Sequence, residues 1–501
     1  MGSLVARHSA CLYPRVAFLN GFCYMIKRPV IEALGYFDET NFGRGYGEEN
    51  DYSLRAGKAG WQLAIADDTY VYHAHSRSYS DERRKELWKH ATIALREKHG
   101  SQIINDGVEV CRFDRLLEGI RARSQVMVSR WQLIENGKDR WAGKRVLFVL
   151  PISEACGGGN VVLTEAQAMR QMGVDAQVVN LTRNKDGFDQ GYPNNTIPIN
   201  YVNETRCISE LQRHYDVVIA TWNASVYWLA SSTCSAKPPV RGYYVQDFEP
   251  HFFPEGSAPF ATAWNSYTCC ADLVRITKTE WTRVTLRENV GVDCTLVGPS
   301  VNVDLFRPRK RHLPEWPARP LRVAAMIRPS TPYRAPILTL EVLGDLHRIH
   351  GEAIEITIFG CSAEDLLSTI SSDLIHSGYR NAGVLTQEQM ASLLNEIDIF
   401  VDFSSHQAMG LTAMEAMCCG AAVIVPQKGG ALSFVSHEKN GIIVDTSLPE
   451  ACLAALDQLV LDHGLRAQLQ RQAIFDICRF FPENAAYNIL SEMFRGSPRG
   501  Q

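Results

Sequence analysis

The 501-residue sequence lacks any run of about 18 apolar residues, the length that a membrane-spanning helix requires. Its amino terminus has no apolar signal core, and its sixth residue is Ala6 instead of the Ser or Thr of a myristoylation signal. Lys and Arg total 51 and Asp and Glu total 55, so the formal net charge of −4 provides no basic surface for nucleic acid. We therefore expect neither a membrane-spanning helix nor a nucleic-acid partner.

Paired cysteines are also missing. None of the 14 cysteines form a C-x-x-C spacing, and the adjacent pairs Cys269–Cys270 and Cys418–Cys419 lie in apolar segments. A zinc site or a disulfide framework would need paired spacing, whereas isolated free cysteine behaves as a small hydrophobic residue. We expect reduced thiols, no metal site and a cytoplasmic protein, with the inner face of the membrane as the alternative location.

The composition that remains is typical of a globular protein, with 46% apolar and 21% charged residues. The length corresponds to about three domains of roughly 150 residues. Residues 1–90 are dense in Gly, Tyr and acidic side chains, and residues 81–142 are charged and helical in pattern. From Lys144 onward the pattern changes to alternating strands and helices.

The first alternating series begins with RVLFVLP (145–151), a continuous apolar run typical of a buried parallel strand. The glycine loop CGGGN (156–160), a helix (160–173) and a strand (175–181) follow, which is a unit of the doubly wound class. Val162 stands where a dinucleotide fingerprint needs its third glycine, and the second strand ends in Asn180 instead of an acidic residue. Further strands are predicted at 216–223, 241–246 and 294–300, with a helix near 279–290. This region therefore predicts a Rossmann-like domain that is not an NAD-linked dehydrogenase.

A Pro- and Arg-rich linker, 307–320, separates this domain from a second series. Strands are predicted at 321–327, 354–360, 397–404, 421–426 and 441–445. Helices are predicted around 336–349, 386–396, 411–419, 448–462, 464–478 and 483–495. Residues 144–501 are therefore predicted to form two Rossmann-like domains that face each other across a cleft.

The most specific motif is SSHQAMGLTAMEAMCCGAAVIVPQKGG (404–430), a strand end, a loop and a helix that begins near Leu411. The backbone N–H groups of Met409, Gly410, Leu411 and Thr412 would lie at the helix amino terminus, which attracts anions such as a diphosphate. Glu415, one turn into the helix, would repel phosphate and is suited to accept hydrogen bonds from a ribose diol. The structural alternative is an ordinary strand–loop–helix with a buried carboxylate.

This motif resembles that of the retaining GT-B glycosyltransferases of family 4, on the match of Gly410-Leu411, Glu415-Ala416-Met417 and Gly420. The resemblance implies that position 407, which carries Gln407 where the family has Glu, contacts the donor sugar. It also implies that Arg328 and Arg334 hold the diphosphate, the alternative being surface arginines at a strand end. The segment GPSVNVDLFRP (298–308) resembles the sequence of the family's interdomain hinge. The resemblance also implies that Gly158 and Gly159 lie where the family's glycine loop approaches the donor phosphate.

The segment VQDFEPHFFP (245–254) resembles a subset of these enzymes that transfer rhamnose in bacterial polysaccharide or S-layer glycan assembly. That subset also shares the Arg-Pro-Ser-Thr-Pro turn found here at 328–332. In this context Asp247 or Glu249 is a candidate to orient an acceptor hydroxyl. The alternative is a Pro-bounded loop with capping carboxylates.

The block at 18–79 resembles the second half of a GT-A glycosyltransferase of family 2, on Asn20-Gly21, Phe37-Asp38-Glu39 and the segment EENDYSLR (48–55). The resemblance implies that Glu49 is the acceptor base, with Asp51 on the acceptor side and His73 or His75 where a metal-ligating histidine is found. The nucleotide-binding first half of that fold, with its Asp-x-Asp, is missing before Phe18. The block is either a remnant or a module completed by another chain.

The predicted fold class is α/β, with two Rossmann-like GT-B domains preceded by a partial GT-A-like module and a helical connector. The predicted parts are the partial module (1–90), the connector (91–143), the acceptor-side domain (144–306), the donor-side domain (307–480) and a C-terminal helix and tail (481–501).

The sequence predicts a hexosyltransferase that moves a sugar with retention onto a bacterial polysaccharide or lipid-linked glycan. By resemblance the donor is dTDP-rhamnose, with dTDP favoured over UDP or GDP, and the GT-B unit needs no cofactor. A peripheral membrane contact and contact with another glycosyltransferase stay open. Two alternatives remain: a non-catalytic glycan-binding scaffold, and catalysis by the N-terminal block with the GT-B unit as support.

Overall fold

The computed structural model describes residues 1–43, 45–74, 80–230, 238–311, 319–371, 374–375 and 378–495. The chain divides into two compact units, Met1–Met127 and Val128–Gln501. His75 and positions 312–318 of the predicted linker lie outside the described residues, as does the end of the predicted C-terminal tail. No helix within the described ranges combines the length and the hydropathy needed to cross a bilayer.

The first unit is built from helices. They are α1 (Gly2–His8), α2 (Arg28–Leu34), α3 (Glu39–Phe42), α4 (Glu48–Lys58), α5 (Asp81–His99), α6 (Ser101–Phe113) and the start of α7 (Arg115–Trp141). The helical pattern predicted over 81–142 is confirmed, and the Ser80 side chain caps α5 by accepting a hydrogen bond from the backbone of Arg83.

The α/β character predicted for residues 1–90 is not found in the part of this block that the structure describes. Its described residues contain one antiparallel bridge, between Arg15 and Ala64, and no strand. Segment 62–66 pairs with segment 14–16 only at this bridge, so no ladder extends from it and no strand forms. The core is correspondingly small, with one cluster around Phe42 and Leu95 and another around Tyr52.

The second unit contains two parallel sheets. The first sheet has the order β3-β2-β1-β4-β5-β6-β7, and every pair in it is parallel. Its strands are β1 (Arg145–Val149), β2 (Asp175–Leu181), β3 (Ile199–Val202), β4 (Val217–Ala220), β5 (Val240–Val245), β6 (Val274–Thr277) and β7 (Thr295–Leu296). Its helices are α8 (Gly157–Gln171), α9 (Lys185–Gly191), α10 (Arg206–Leu211), α11 (Asn223–Ala230), α12 (Ala258–Ser266) and α13 (Glu280–Val290). We call this part the first half.

The second sheet has the order β10-β9-β8-β11-β12-β13 and is also entirely parallel. Its strands are β8 (Leu321–Met326), β9 (Ile354–Phe359), β10 (Tyr379–Asn381), β11 (Ile399–Val401), β12 (Ala422–Pro426) and β13 (Ile442–Val444). Its helices are α14 (Pro336–His350), α15 (Ala363–Thr369), α16 (Gln387–Glu396), α17 (Leu411–Cys419), α18 (Pro449–Leu461) and α19 (His463–Ile477), and α20 (Pro482–Met493) follows. We call this part the second half.

Short 3-10 helices connect several of these elements. They are Gly21–Cys23, Thr182–Asn184, Gln212–His214, Glu249–Phe252, Pro332–Arg334, Gly351–Ala353 and Gly430–Ser433. The predicted two-domain α/β fold is confirmed, although the strand predicted at 294–300 shortens to two residues. The pattern gave no sign of β3, β6, β10 or helices α9 to α12 and α15, since these elements are short and partly polar.

The central strands form their cores from continuous apolar runs, as β1 shows with Val146, Leu147, Phe148 and Val149 almost wholly buried. Helices on both faces of each sheet remove these side chains from water, which is the main stabilising contribution in such a fold. The last helix, α20, packs on α8, and its Ile489 and Leu490 belong to the core of the first half.

Arg130 ties helix α7 to two other segments of the second unit, the start of α20 and the connection between the two halves. Its guanidinium donates to Glu483 at the start of α20, at 2.8 and 3.2 Å, and to Asp304 in the connection between the two halves, at 2.8 and 3.2 Å. Arg130 and Glu483 are both buried. A forked ion pair of this kind holds three segments that are far apart in sequence.

Replacing Arg130 with Ala is expected to lower the free energy of unfolding by about 3–5 kcal/mol, since the Glu483 carboxylate would stay buried without a partner. Chemical denaturation measures this change. The control is Lys138→Ala, which removes an exposed pair with Glu135 on the same helix and should change stability by less than about 1 kcal/mol. Equal effects of the two variants would contradict a structural role for the Arg130 pair.

Candidate functional site

The loops that follow the strands of both halves surround a cleft. One cavity of about 490 Å³ is lined by Gln246, Asp247 and Lys278 of the first half and by Arg334 and Gln407 of the second. A smaller cavity of about 130 Å³ adjoins it, with Arg328 and Glu415 in its wall. Both cavities share a wall made of Cys156, Gly157, Arg334, Gln407, Gly410 and Leu411.

Gln407 lies in this shared wall and is almost fully buried. Its amide nitrogen donates to the Asp402 carboxylate at 2.8 Å and to the Ser404 hydroxyl at 3.1 Å. Its backbone pairs with Gly429, and its carbonyl accepts from Gly430 at 2.7 Å. Asp402 explains the residue type, because a glutamate at position 407 would bring a second carboxylate against it.

The loop enters helix α17 through Gly410, whose φ of +83° is left-handed and favours glycine. The helix begins at Leu411, as predicted, so the amides from Met409 to Thr412 form its amino terminus. Met409 lines the larger cavity, Thr412 the smaller one, and Leu411 lines both. The predicted anion-binding position therefore borders the cleft.

Glu415 lies one turn into α17 and lines the smaller cavity. It is 4% exposed, and its carboxyl group has no hydrogen bond or ion pair with any other described residue. Burial raises the pKa of Glu415 to about 8. A buried carboxyl group that faces a cavity and has no donor among the described residues is suited to a ligand that brings hydroxyl donors.

Arg328 and Arg334 follow β8, and both line the smaller cavity. Arg334, at the end of the 3-10 helix Pro332–Arg334, also lines the larger cavity and interacts electrostatically with Asp247 across the cleft. The structure thus brings both arginines, the α17 amino terminus, Gln407 and Glu415 around adjoining cavities.

Asp247 and Glu249 have different surroundings. Asp247 lines the larger cavity, and burial raises its pKa to about 6 while the charge of Arg334 opposes the shift. Glu249 is held by the backbone and side chain of Asn223, at 2.7 Å each, and by the Tyr243 hydroxyl at 3.0 Å. Glu249 lines the same cavity, but these donors engage its carboxylate and fasten its loop to α11, so Asp247 remains the candidate for a substrate hydroxyl.

The glycines predicted to form a loop before a helix at 160 lie instead in the first turn of α8, which begins at Gly157, and they serve different purposes. A Cβ on Gly159 would collide with the Tyr192 hydroxyl, so this glycine is needed for packing. A Cβ on Gly158 would lie 3.0 Å from the Gln246 side chain in the cavity wall. The Cys156 sulfur caps the helix by accepting from the Gly159 backbone at 3.4 Å.

A buried ionic cluster at the floor of the larger cavity was not predicted. Lys278, after β6, donates to Glu165 of α8 and to Ser300 at 2.8 Å, and Tyr244 donates to Glu165 at 2.8 Å. Burial lowers the pKa of Lys278. Glu165 falls on the apolar face of α8. An acidic residue at such a core position is the one feature of the sequence that could have indicated a buried ionic partner.

The loop before α17 in the second half contacts the first half directly. The Thr279 hydroxyl, at the start of α13, donates to the Ala408 carbonyl at 2.7 Å. Gly430 lies at the same point, where a Cβ would collide with the Ala408 carbonyl oxygen and with the Thr279 methyl group. The residue beside Gln407 is therefore held from the opposite wall of the cleft.

The first unit has a separate cavity of about 940 Å³, lined by Glu48, Glu49, His73 and Trp88 among others. One carboxylate oxygen of Glu48 and one of Glu49 are buried without a hydrogen-bond partner among the described residues. Burial, with the neighbouring Glu48, raises the pKa of Glu49. His73 stacks on Phe22 with 4.7 Å between ring centroids. Two of the three predicted acceptor-side residues thus share this cavity.

Asp51, the third, does not line that cavity. It is fully buried and accepts from Arg55, Lys98 and His99, each at 2.8 Å. These partners lower its pKa despite burial. Asp51 joins α4 to α5. No group of three or more His, Cys, Asp or Glu side chains is placed to hold a metal within the described ranges.

Residues 324–474 match the family model described as glycosyl transferases group 1. The O-antigen biosynthesis protein RfbC of Myxococcus xanthus is 28% identical over 246 residues, which are 48% of this chain and 18% of that protein. The lipopolysaccharide core biosynthesis glycosyltransferase LpsE of Rhizobium meliloti is 28% identical over 135 residues, 27% of this chain and 39% of that protein. The chain thus matches less than half the length of either relative.

Solved structures share the fold at low sequence identity. The Anabaena protein Alr3699/HepE in complex with UDP and glucose has a TM-score of 0.57 and 14% identity, covering 70% of this chain and 99% of that one. TarM has the same TM-score at 12% identity, with the same coverage. At these identities the likeness concerns the two-domain GT-B fold alone.

Replacing Gln407 with Glu is expected to destabilise the protein increasingly as pH rises from about 5 to about 8. The new carboxyl would face Asp402, so the pKa of the pair rises on folding, and the stability present at low pH is lost at high pH. A pKa that is higher by one in the folded protein than in the unfolded chain corresponds to about 1.4 kcal/mol. Denaturation at several pH values measures it, with Gln407→Ala as the control that changes stability without this slope. Parallel pH profiles would contradict the contact.

Proposed function

We propose, starting from the glycosyl transferases group 1 domain of residues 324–474, that this protein transfers a glycosyl group from a nucleoside-diphosphate sugar to a glycan acceptor. The observation that carries the proposal is the meeting of positive groups, a helix amino terminus and the buried Glu415 carboxyl around adjoining cavities. These are the groups that a diphosphate linked to a pentose would require.

The diphosphate would bind where Arg328, Arg334 and the amides from Met409 to Thr412 border the cleft. Arginine donates to phosphate oxygens in a fork, and the helix dipole favours negative charge at this end. Charge accumulates on the diphosphate as its bond to the sugar breaks. Groups already fixed around it would therefore stabilise the transition state more than the ground state.

Glu415 would accept a hydrogen bond from the 3′-hydroxyl of the nucleotide pentose in the smaller cavity, and from the 2′-hydroxyl as well where the pentose is ribose. Its pKa of about 8 means that the carboxyl holds a proton at neutral pH before the nucleotide binds. Hydroxyl donors favour the ionised form, so nucleotide binding would release that proton.

The transferred sugar would contact Gln407, and the acceptor hydroxyl would face Asp247 in the larger cavity. With its pKa near 6, Asp247 is ionised at neutral pH and can accept a hydrogen bond from that hydroxyl. We propose that transfer proceeds with retention, so the new bond forms on the face from which the diphosphate leaves. The GT-B unit would need no cofactor for this step.

For the donor we propose dTDP-rhamnose, ahead of UDP- or GDP-sugars, and for the acceptor a bacterial polysaccharide or lipid-linked glycan. The support is the sequence segment 245–254 with the turn 328–332, and two relatives named for O-antigen and lipopolysaccharide core biosynthesis. A neighbour solved with UDP and glucose makes UDP-sugars the first competitors to test. Work on lipid-linked acceptors would place the protein at the inner face of the membrane.

The cavity of the first unit supports a proposal for Glu49 and His73 as acceptor-side groups of a second site. Its buried carboxylate oxygens are suited to sugar hydroxyls, and the exposed Trp88 ring offers an apolar face. With no nucleotide-binding strands among its described residues, this unit would act on a donor only when completed by further chain, for example by another protein. Transfer lost on adding a metal chelator would assign the chemistry to this unit instead of the cleft.

The affinity for dTDP or UDP is expected to rise by up to about tenfold per pH unit between about pH 6 and 8 and to level off above the Glu415 pKa of about 8. Calorimetry across this range measures it. The control is Glu415→Gln, which keeps the shape of the side chain and carries no titrating proton. In this variant the slope of log affinity against pH should be lower by about one. The same slope in both proteins would contradict the pentose contact.

A panel of dTDP-, UDP- and GDP-sugars tests the activity, with nucleotide release and transfer to a glycan acceptor as readouts. Arg328→Ala and Glu415→Ala are each expected to lower transfer by about 10²–10³-fold with the fold intact. The control is Arg348→Ala, an exposed arginine of the same half whose loss should not matter. Undiminished transfer in both site variants would refute the assignment. Absence of any heat with dTDP or UDP would favour the scaffold alternative.

A further inference from the structure

Five aromatic rings form a continuous stack at the mouth of the larger cavity. Consecutive centroids are 5.9 Å apart for Trp222–Phe252, 6.0 Å for Phe252–Tyr333, 5.1 Å for Tyr333–His406 and 5.6 Å for His406–Trp281. The interplanar angles of these four pairs are 9°, 24°, 21° and 24°. We call these residues the ring column. Offset stacking at such distances is a favourable geometry for aromatic pairs.

The ring column crosses the cleft twice. Trp222, Phe252 and Trp281 belong to the loops and the helix start of the first half, whereas Tyr333 and His406 belong to the second half. Tyr333 and His406 therefore lie between rings of the opposite wall. The column can form only when the two halves are close together.

Tyr333 and His406 are adjacent in sequence to residues that we propose bind the donor. Tyr333 directly precedes Arg334, and His406 directly precedes Gln407. Their loops are tied together, since the Ser405 backbone and hydroxyl donate to the Tyr333 carbonyl at 2.8 and 3.1 Å. A shift of either ring would move Arg334 and Gln407 as well.

We propose that Tyr333 and His406 are positioning residues, which fix Arg334 and Gln407 against the acceptor wall by closing the ring column across the cleft. This inference rests on the proposed function for its catalytic meaning. Whether the ring column closes the two halves can be measured without any substrate.

The surroundings of His406 make this closure dependent on pH. His251 of the first half approaches it edge-on at 5.5 Å, and Arg334 and Lys428 add positive charge on its own side. The Asp247 carboxylate interacts electrostatically with Tyr333 and Arg334. Burial first, and then these positive groups, lower the pKa of His406. The closed form therefore favours neutral His406, and protonation below the ordinary histidine range near pH ~6.5 favours opening.

The test compares Tyr333→Ala and His406→Ala with the ring-preserving Tyr333→Phe and His406→Phe. Phe260→Ala is the matched control, because Phe260 stacks on Trp264 at 5.6 Å entirely within the first half. Small-angle X-ray scattering of the full chain at about pH 8 measures the radius of gyration, which increases when the two halves separate. Steady-state kinetics with the active donor separate kcat from KM.

We expect the alanine variants to have a larger radius of gyration and a kcat at least about tenfold lower. The phenylalanine variants should keep the wild-type radius of gyration, and Phe260→Ala should be close to wild type in both measurements. Wild type should also open between about pH 7 and 5.5, whereas His406→Phe should not. Wild-type scattering and kinetics in both alanine variants would overturn the proposal, as would opening without a fall in kcat. If no sugar nucleotide is a substrate, the proposed function fails while the scattering comparison still decides whether the column closes the halves.

Discussion

The parallel pairing of every strand in both sheets of the second unit determines where reactive side chains can gather. In a parallel sheet all carboxyl ends lie at one edge, and the residues that leave the strands there escape the core. Asp247 follows β5, Lys278 follows β6, Arg328 follows β8 and Gln407 follows β11. Because the two sheets present these edges to each other, groups far apart in sequence come to line adjoining cavities.

This constraint is also why the fold and much of the site could be predicted. Buried parallel strands are continuous apolar runs, so β1 and β12 could be located by composition alone. The start of α17 at Leu411 follows from local chemistry that needs no tertiary information, whereas the glycines predicted as a loop form the first turn of α8. Short or partly polar elements such as β3 and β10 were missed, because only their pairing with a neighbour defines them.

The rest of the site depends on contacts that composition does not encode. Asp51 and Glu249 have the residue type of catalytic groups, yet each is engaged by several donors and holds its segment in place. Lys278 and Glu165 are 113 positions apart and form a buried pair that no local pattern announces. The ring column likewise joins five positions dispersed along the chain. Burial and partner geometry, which separate structural from reactive groups, are properties of the folded state.

Gly430 carries a consequence for the motion of the cleft. The backbone of this residue, the Ala408 carbonyl and the Thr279 methyl group occupy one point without room for a single additional carbon. Closely packed surfaces of this kind do not slide gradually; they are either seated or separated. The cleft should thus behave as a two-position switch, in which the Thr279 side chain is either seated against Ala408 and Gly430 or withdrawn from both.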